Sequence, residues 1–292
     1  MAGLIFLVPR ITVFVLDLSS GLRSWLTASA TEKTDEGPDA HGDWQSRETV
    51  AADQVAALPQ GNAGALLLDQ LRQQYGGNPA AADILAHPEN YPDDLLALLL
   101  KRPETLDFVR NYPQKKNVKE QVDLSGEIGE GIVPRLYQWD GRWGYDRYGD
   151  SIVALSGCGP TCLSMVALGL TKDTSADPGT VAALSEKNGY VTEVGTSWDL
   201  MTLGAKQLGL SGVELPLDEG RMAQALSEGC PIICSMRPGD FTDTGHFIVL
   251  TGYEEGAFTV NDPNSIDNSE KRWTYDEIQG QIKNLWAYSC AK

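Results

Sequence analysis

The side chains whose types and spacing suit covalent chemistry lie in the C-terminal half of the chain. Cys158 stands in Gly157-Cys158-Gly159-Pro160, directly ahead of the apolar run Thr161-Cys162-Leu163-Ser164-Met165-Val166. Proline in a first turn suits a helix start, so Cys158 is predicted at a helix N-terminus. Unpaired backbone N–H groups and the positive end of the helix dipole favour a thiolate there, and the thiolate is the nucleophilic form. The flanking glycines are expected to leave room for a substrate backbone.

A thiol nucleophile needs a base. The chain has three histidines, His41, His87 and His246, and only His246 falls in the same predicted domain as Cys158. It opens the apolar run His246-Phe247-Ile248-Val249-Leu250, which reads as a strand whose end holds the imidazole still. Asp262 follows the next predicted strand, one hairpin away, and a carboxylate there can accept the second ring N–H and fix the tautomer. Gln138, in Tyr137-Gln138-Trp139-Asp140, offers a neutral amide donor for an oxyanion, with the Cys158 N–H as a second donor.

These residues resemble the pattern of bacterial peptidases of cysteine peptidase family 39 and their relatives. The matching positions are Gln138, Trp143-Gly144, Gly157 to Met165, Gly245-His246-Phe247 and Asn261-Asp262-Pro263, within residues 132–292. The resemblance implies a papain-like fold in which the order Gln, Cys, His, Asp is kept. It implies Cys158 as nucleophile, His246 as base, Asp262 as orienting group and Gln138 as oxyanion donor, with no cofactor and no metal. Members that cut leader peptides are usually fused to a transporter. This sequence includes no such segment, so the resemblance leaves the substrate open. It also implies that Gly141–Gly157 loops out between Gln138 and the nucleophile.

Other residues compete for these roles. Cys162 is one helical turn beyond Cys158 and is expected in the core beneath it. Cys158-xxx-Cys162 and Cys230-xxx-Cys234 are loosely spaced like zinc ligands, but Cys230 and Cys234 flank an apolar run that reads as a buried strand. Asp240 and Asp243 are rival carboxylates in the loop ahead of His246. Trp198 and Trp273 are candidates for a groove wall, although core packing is the commoner fate of a tryptophan.

The elements that must position these residues form an α+β layout, helices first and an antiparallel sheet after. Helices are predicted from Gly157 to Leu170 and at 178–188, 198–208 and 218–228, and strands at 231–236, 246–253 and 257–261. The Glu254-Glu255-Gly256 connection between the last two fits a hairpin. Ahead of this domain (132–292) lie a polar linker (114–131) and a small helical subdomain (64–113) that contains Asn-Tyr-Pro twice, at Asn90–Pro92 and Asn111–Pro113. His87 falls in this subdomain and is expected at its surface. Residues 31–63 are acidic and without sustained periodicity, as in a linker.

Residues 1–30 combine the apolar run Gly3–Leu18, interrupted by Arg10 and Asp17, with the small-residue segment Thr27-Ala28-Ser29-Ala30. They read as a signal peptide or membrane anchor, which predicts action outside the cytoplasm or in the cell envelope of a bacterium, with membrane or cell-wall association through the N-terminus. The formal net charge of −17 argues against nucleic acid as a partner. Five cysteines are too few for a disulfide scaffold in a chain of 292 residues. The expectation is an exported thiol peptidase or amidase acting on a peptide or protein. Two readings compete with it: acyl transfer or peptidoglycan-peptide cleavage at the same site, and a catalytically silent peptide-binding module.

Overall fold

The computed structural model describes residues 60–192 and 195–291. The expected export segment and the linker as far as residue 59 lie outside the described residues.

The N-terminal part is helical. Helix α1 (Gln60–Tyr75) begins where the sequence suggests the last residues of a linker. It is followed by α2 (Ala82–Ala86), α3 (Asp93–Lys101) and α4 (Leu106–Lys115). Pro92 precedes α3, and Asp93 and Asp94 sit in its first turn, where carboxylates complement the helix dipole. Leu95, Leu96, Leu98 and Leu99 form its buried stripe. Each such side chain contributes about 1.5–3 kcal/mol by leaving water.

This helical part does not pack on itself alone. Leu71, Ile84, Leu95, Leu99, Phe108 and Val109 share one apolar cluster with Tyr145 and Ala154, which lie further along the chain. The Phe108 and Tyr145 rings stack with centroids 4.2 Å apart, and the Tyr145 hydroxyl donates to the Phe108 carbonyl at 2.8 Å. Gly144 is required at this seam, because a Cβ there would lie 2.7 Å from the Phe108 ring.

The remaining elements follow in order. A two-stranded hairpin, β1 (Arg147–Tyr148) and β2 (Ser151–Ile152), leads into the single turn α5 (Val153–Ser156) and then α6 (Cys158–Thr171). Next come α7 (Pro178–Lys187), the short hairpin β3 (Val191–Thr192) and β4 (Gly195–Thr196), and a π-helical turn at Leu200–Gly204 that runs into α8 (Ala205–Gln207). The chain then forms β5 (Leu210–Glu214), α9 (Glu219–Ser227), β6 (Ile232–Met236), β7 (His246–Glu254) and β8 (Ala257–Asn261). It closes with α10 (Ile266–Glu270), β9 (Arg272–Thr274), α11 (Tyr275–Ile278) and β10 (Ile282–Cys290).

Six strands form one sheet in the order β5-β10-β6-β7-β8-β9, with every pairing antiparallel. Helix α6 is apolar on all sides and buried along nearly its whole length, as expected of a helix enclosed on every face. Its core cluster joins Leu163, Val166 and Met165 to Phe247, Val249, Trp286 and Tyr288 of the sheet. The layout is α+β, with Cys158 on the central helix and His246 on a central strand. The expected helix 198–208 is a π turn continued by less than one α turn, and β10 inserts between β5 and β6. That non-sequential placement is a long-range pairing that local periodicity does not signal.

Candidate active site

Cys158 is the first residue of α6 and is half-buried. Gly157 stands at the N-cap with no side-chain cap, and the Cys158 N–H has no backbone acceptor among the described residues. The glycines on either side are required by close packing within the protein itself. A Cβ on Gly157 would lie 2.6 Å from the Val153 carbonyl oxygen, and one on Gly159 would lie 2.8 Å from Oγ1 of Thr196. Thr196 is itself held by a 2.8 Å hydrogen bond with the Tyr148 hydroxyl. The turn at Cys158 is therefore clamped between α5 and the β3–β4 hairpin.

His246 is the first residue of β7 and is buried. Its Nε2 donates to Oδ1 of Asp262 at 2.7 Å, which leaves Nδ1 unengaged by Asp262, and Cys158 lies near enough to the ring to favour its charged form. Burial opposes the charged imidazole, but the Asp262 carboxylate and the Cys158 contact outweigh it and raise its pKa to about 10. Burial likewise opposes the charged form of Asp262. The His246 charge and hydrogen bonds from His246, Asn268 and the Asn264 N–H together hold its carboxyl below the usual range.

The hairpin accounts for this meeting. Strands β7 and β8 pair with Val249 opposite Asn261. Continuing that register by one step puts Asp262 across from Ile248, and strand alternation puts 248 and 246 on one face. A diagonal neighbour on one face is within reach of an imidazole and a carboxylate.

Gln138 is buried, and its backbone N–H donates to the Pro263 carbonyl at 2.8 Å, one residue beyond Asp262. Its side-chain Nε2 donates to the Ala154 carbonyl at 2.6 Å, while Oε1 has no hydrogen-bond partner. The segment between Gln138 and Cys158 leaves as a set of turns and the β1–β2 hairpin. It returns as α5, which brings Ala154 back against Gln138 a few residues before Cys158. One N–H of the amide is thus used internally and the second is left over.

The competing residues lie elsewhere. Asp240 accepts from Gln281 and Asp243 pairs with Lys101, so neither is the His246 partner. Cys162 and Cys234 are fully buried, and burial raises both thiols, that of Cys162 well above its ordinary value. No group of three or more potential ligands is placed to hold a metal ion among the described residues. Trp273 is buried, whereas Trp198 is 39% exposed and meets Trp286 edge-on. A cleft of about 420 Å³ opens beside Ser156, lined by Tyr148, Gly149, Thr192 and Gly195.

Residues 132–290 match the family model described as the Peptidase_C39 like family. The chain belongs to the Peptidase_C39 like family. Among solved structures, it is similar to the peptidase domain of Streptococcus ComA, described as a bi-functional ABC transporter involved in a quorum-sensing pathway. That likeness has 17% identity and a TM-score of 0.36, covering 50% of this chain and 96% of that one. It is also similar to a chain from Bacillus anthracis described as a C39-like peptidase, with 16% identity and a TM-score of 0.35, covering 56% of this chain and 97% of that one. No curated protein matches. The family match spans Gln138, Cys158, His246 and Asp262, and leaves the helices ahead of residue 132 outside it.

Asn268 is the residue that the sequence reading missed. Its Nδ2 donates to Oδ2 of Asp262 at 2.8 Å. The available signal was Ser265 capping a short helix three residues ahead of it.

Proposed function

We propose that this chain is a thiol peptidase or amidase, of papain-like arrangement, that hydrolyses peptide or amide bonds through a thioester. The observation that carries the reading is the line Asp262, His246, Cys158. A buried carboxylate holds one ring nitrogen at 2.7 Å, and a cysteine at a helix N-terminus lies near enough to the same ring to favour its charged form.

In this reading the Cys158 proton passes to Nδ1 of His246, and the resulting thiolate attacks the carbonyl carbon. The tetrahedral oxyanion receives the Cys158 N–H and the second N–H of Gln138. The C–N bond breaks as His246 returns its proton to the departing amine, leaving an acyl thioester on Cys158. Water then attacks the thioester, His246 takes its proton and gives it back to the sulfur, and the acid leaves. Asp262 stays ionised throughout and steadies the imidazolium. The apolar run Gly3–Leu18 and the segment Thr27–Ala30 support action outside the cytoplasm.

The test is a mixed peptide library incubated with the wild type and with Cys158→Ala. Hydrolysis by the wild type alone supports the reading; equal hydrolysis by Cys158→Ala refutes it.

A further inference from the structure

We infer that Asn268 is a positioning residue of the site: it holds the second oxygen of Asp262 and, through that carboxylate, sets the imidazole of His246 against Cys158. The inference rests on the proposed function, with Cys158 as nucleophile and His246 as base.

The geometry is specific to the two oxygens. Oδ1 of Asp262 accepts from Nε2 of His246 at 2.7 Å and from the Asn264 N–H at 2.8 Å. Oδ2 accepts from Nδ2 of Asn268 at 2.8 Å. With both oxygens engaged, rotation of the carboxylate about its last bond would break a hydrogen bond in a fully buried place. Losing a partner to a buried charge costs more than an ordinary hydrogen bond contributes.

Asn268 is in turn fixed from several directions. It sits on α10, where the Ser265 hydroxyl accepts its backbone N–H at 3.2 Å. Its carbonyl accepts from the indole N–H of Trp273 at 2.9 Å. The next residue, Ser269, accepts the Asp262 N–H at its hydroxyl at 2.8 Å, so the helix and the carboxylate are joined by main chain and side chain together. Helix α10 thus acts as a rigid bracket behind the Asp262 carboxylate.

The charged and titratable groups around the pair are few. Cys158 and Cys162, on α6, are near enough to interact electrostatically with the pair. The Arg135 guanidinium lies behind the bracket, donating to the Ser269 carbonyl at 2.8 Å and contacting the Asn261 side-chain oxygen at 3.4 Å. Asp267 and Glu270 are exposed on α10. An amide carries no charge, so its removal changes the hydrogen bond to Asp262 without altering this charge set.

The experiment compares the wild type with Asn268→Ala and with Asn268→Leu, which keeps most of the volume. The ring of His246 is titrated by NMR of the imidazole-labelled full chain, which has only three histidines. Thermal midpoints and kcat/KM are measured alongside. The expected result is a His246 midpoint lowered by about one pH unit and kcat/KM down about tenfold in both variants. An unchanged His246 midpoint in a folded variant overturns the inference, whatever happens to thermal stability, because a purely structural asparagine would not move it. The titration does not depend on any substrate. If the wild type hydrolyses no peptide and the midpoint still falls, the proposed function fails while the positioning role stands.

Discussion

Nε2 of His246 and Oδ1 of Asp262 stand 2.7 Å apart, with both side chains almost wholly out of water. A buried ion pair of this kind is held in place by its surroundings: taking both charges out of water is costly, and removing one partner leaves the other unpaired. Asp262→Ala is therefore expected to lower unfolding stability by about 3–5 kcal/mol, as read by urea denaturation. Asp262→Asn keeps the shape and loses the charge. It is expected to cost less stability than Asp262→Ala, although its NH₂ replaces an oxygen that accepts a buried hydrogen bond, while cutting kcat by about 10²-fold or more. A fully active Asp262→Asn would remove Asp262 from the account.

The pH dependence of stability has a definite sign on each side. His246 is raised from 6.5 to about 10, so its contribution is complete below about pH 6.5 and fades as the pH climbs towards 10. Asp262 is held below 3.8, so its contribution is present above about pH 4 and is lost as the pH falls through the lowered value. The stability difference between wild type and His246→Ala is expected to be greatest at about pH 4–6.5 and to shrink on both sides. Denaturation curves at a series of pH values check this. A difference that grows between pH 7 and 10 would contradict the raised imidazole.

The clamp on the Cys158 turn predicts a coupled pair. Gly159→Ala would place its Cβ 2.8–2.9 Å from three atoms of the Thr196 side chain, and such overpacking costs about 1–3 kcal/mol. The Thr196 side chain is the obstacle, so Thr196→Gly in the same chain should recover part of the loss. A double-mutant cycle on thermal midpoints measures the coupling. Additive losses would show that the two residues do not press on each other.

Gln138 carries a separate prediction. If its free N–H serves the oxyanion, Gln138→Ala should lower kcat by about 10²–10³-fold with KM little changed. The variant should also lose about 1–3 kcal/mol of stability, because the Ala154 carbonyl loses its buried donor. A stability loss without a kcat loss would reduce Gln138 to a strut between Pro263 and Ala154.

The sequence made some of this legible and hid the rest for physical reasons. Cys158 and His246 were readable because a Gly-Cys-Gly-Pro turn announces a helix start and because the domain has no second histidine. Asp262 was readable because a hairpin turns sequence distance into a register. Asp240 and Asp243 could be set aside only once Gln281 and Lys101 were seen to hold them. The reason for Gly159 was hidden, since Thr196 lies across a hairpin and two helices. So was the bond from Gln138 to Ala154, which depends on how the intervening turns fold back. Asn268 was hidden because its bond to Asp262 depends on how the chain folds back after Asp262, although Ser265 marks a helix start. The sharing of a core between the helical part and Tyr145 was likewise a matter of tertiary packing, as the stacked Phe108 shows.

The central claim is that Cys158 forms the covalent intermediate. An activated ester or peptide substrate is mixed with the wild type, the reaction is quenched in acid within the first turnover, and the digested chain is mapped by mass spectrometry. The account predicts one acyl group, on the peptide bearing Cys158, and none in His246→Ala at the same time point. Hydrolysis with no acylated peptide, or an acyl group on Cys162, Cys230, Cys234 or Cys290 in place of Cys158, would contradict it.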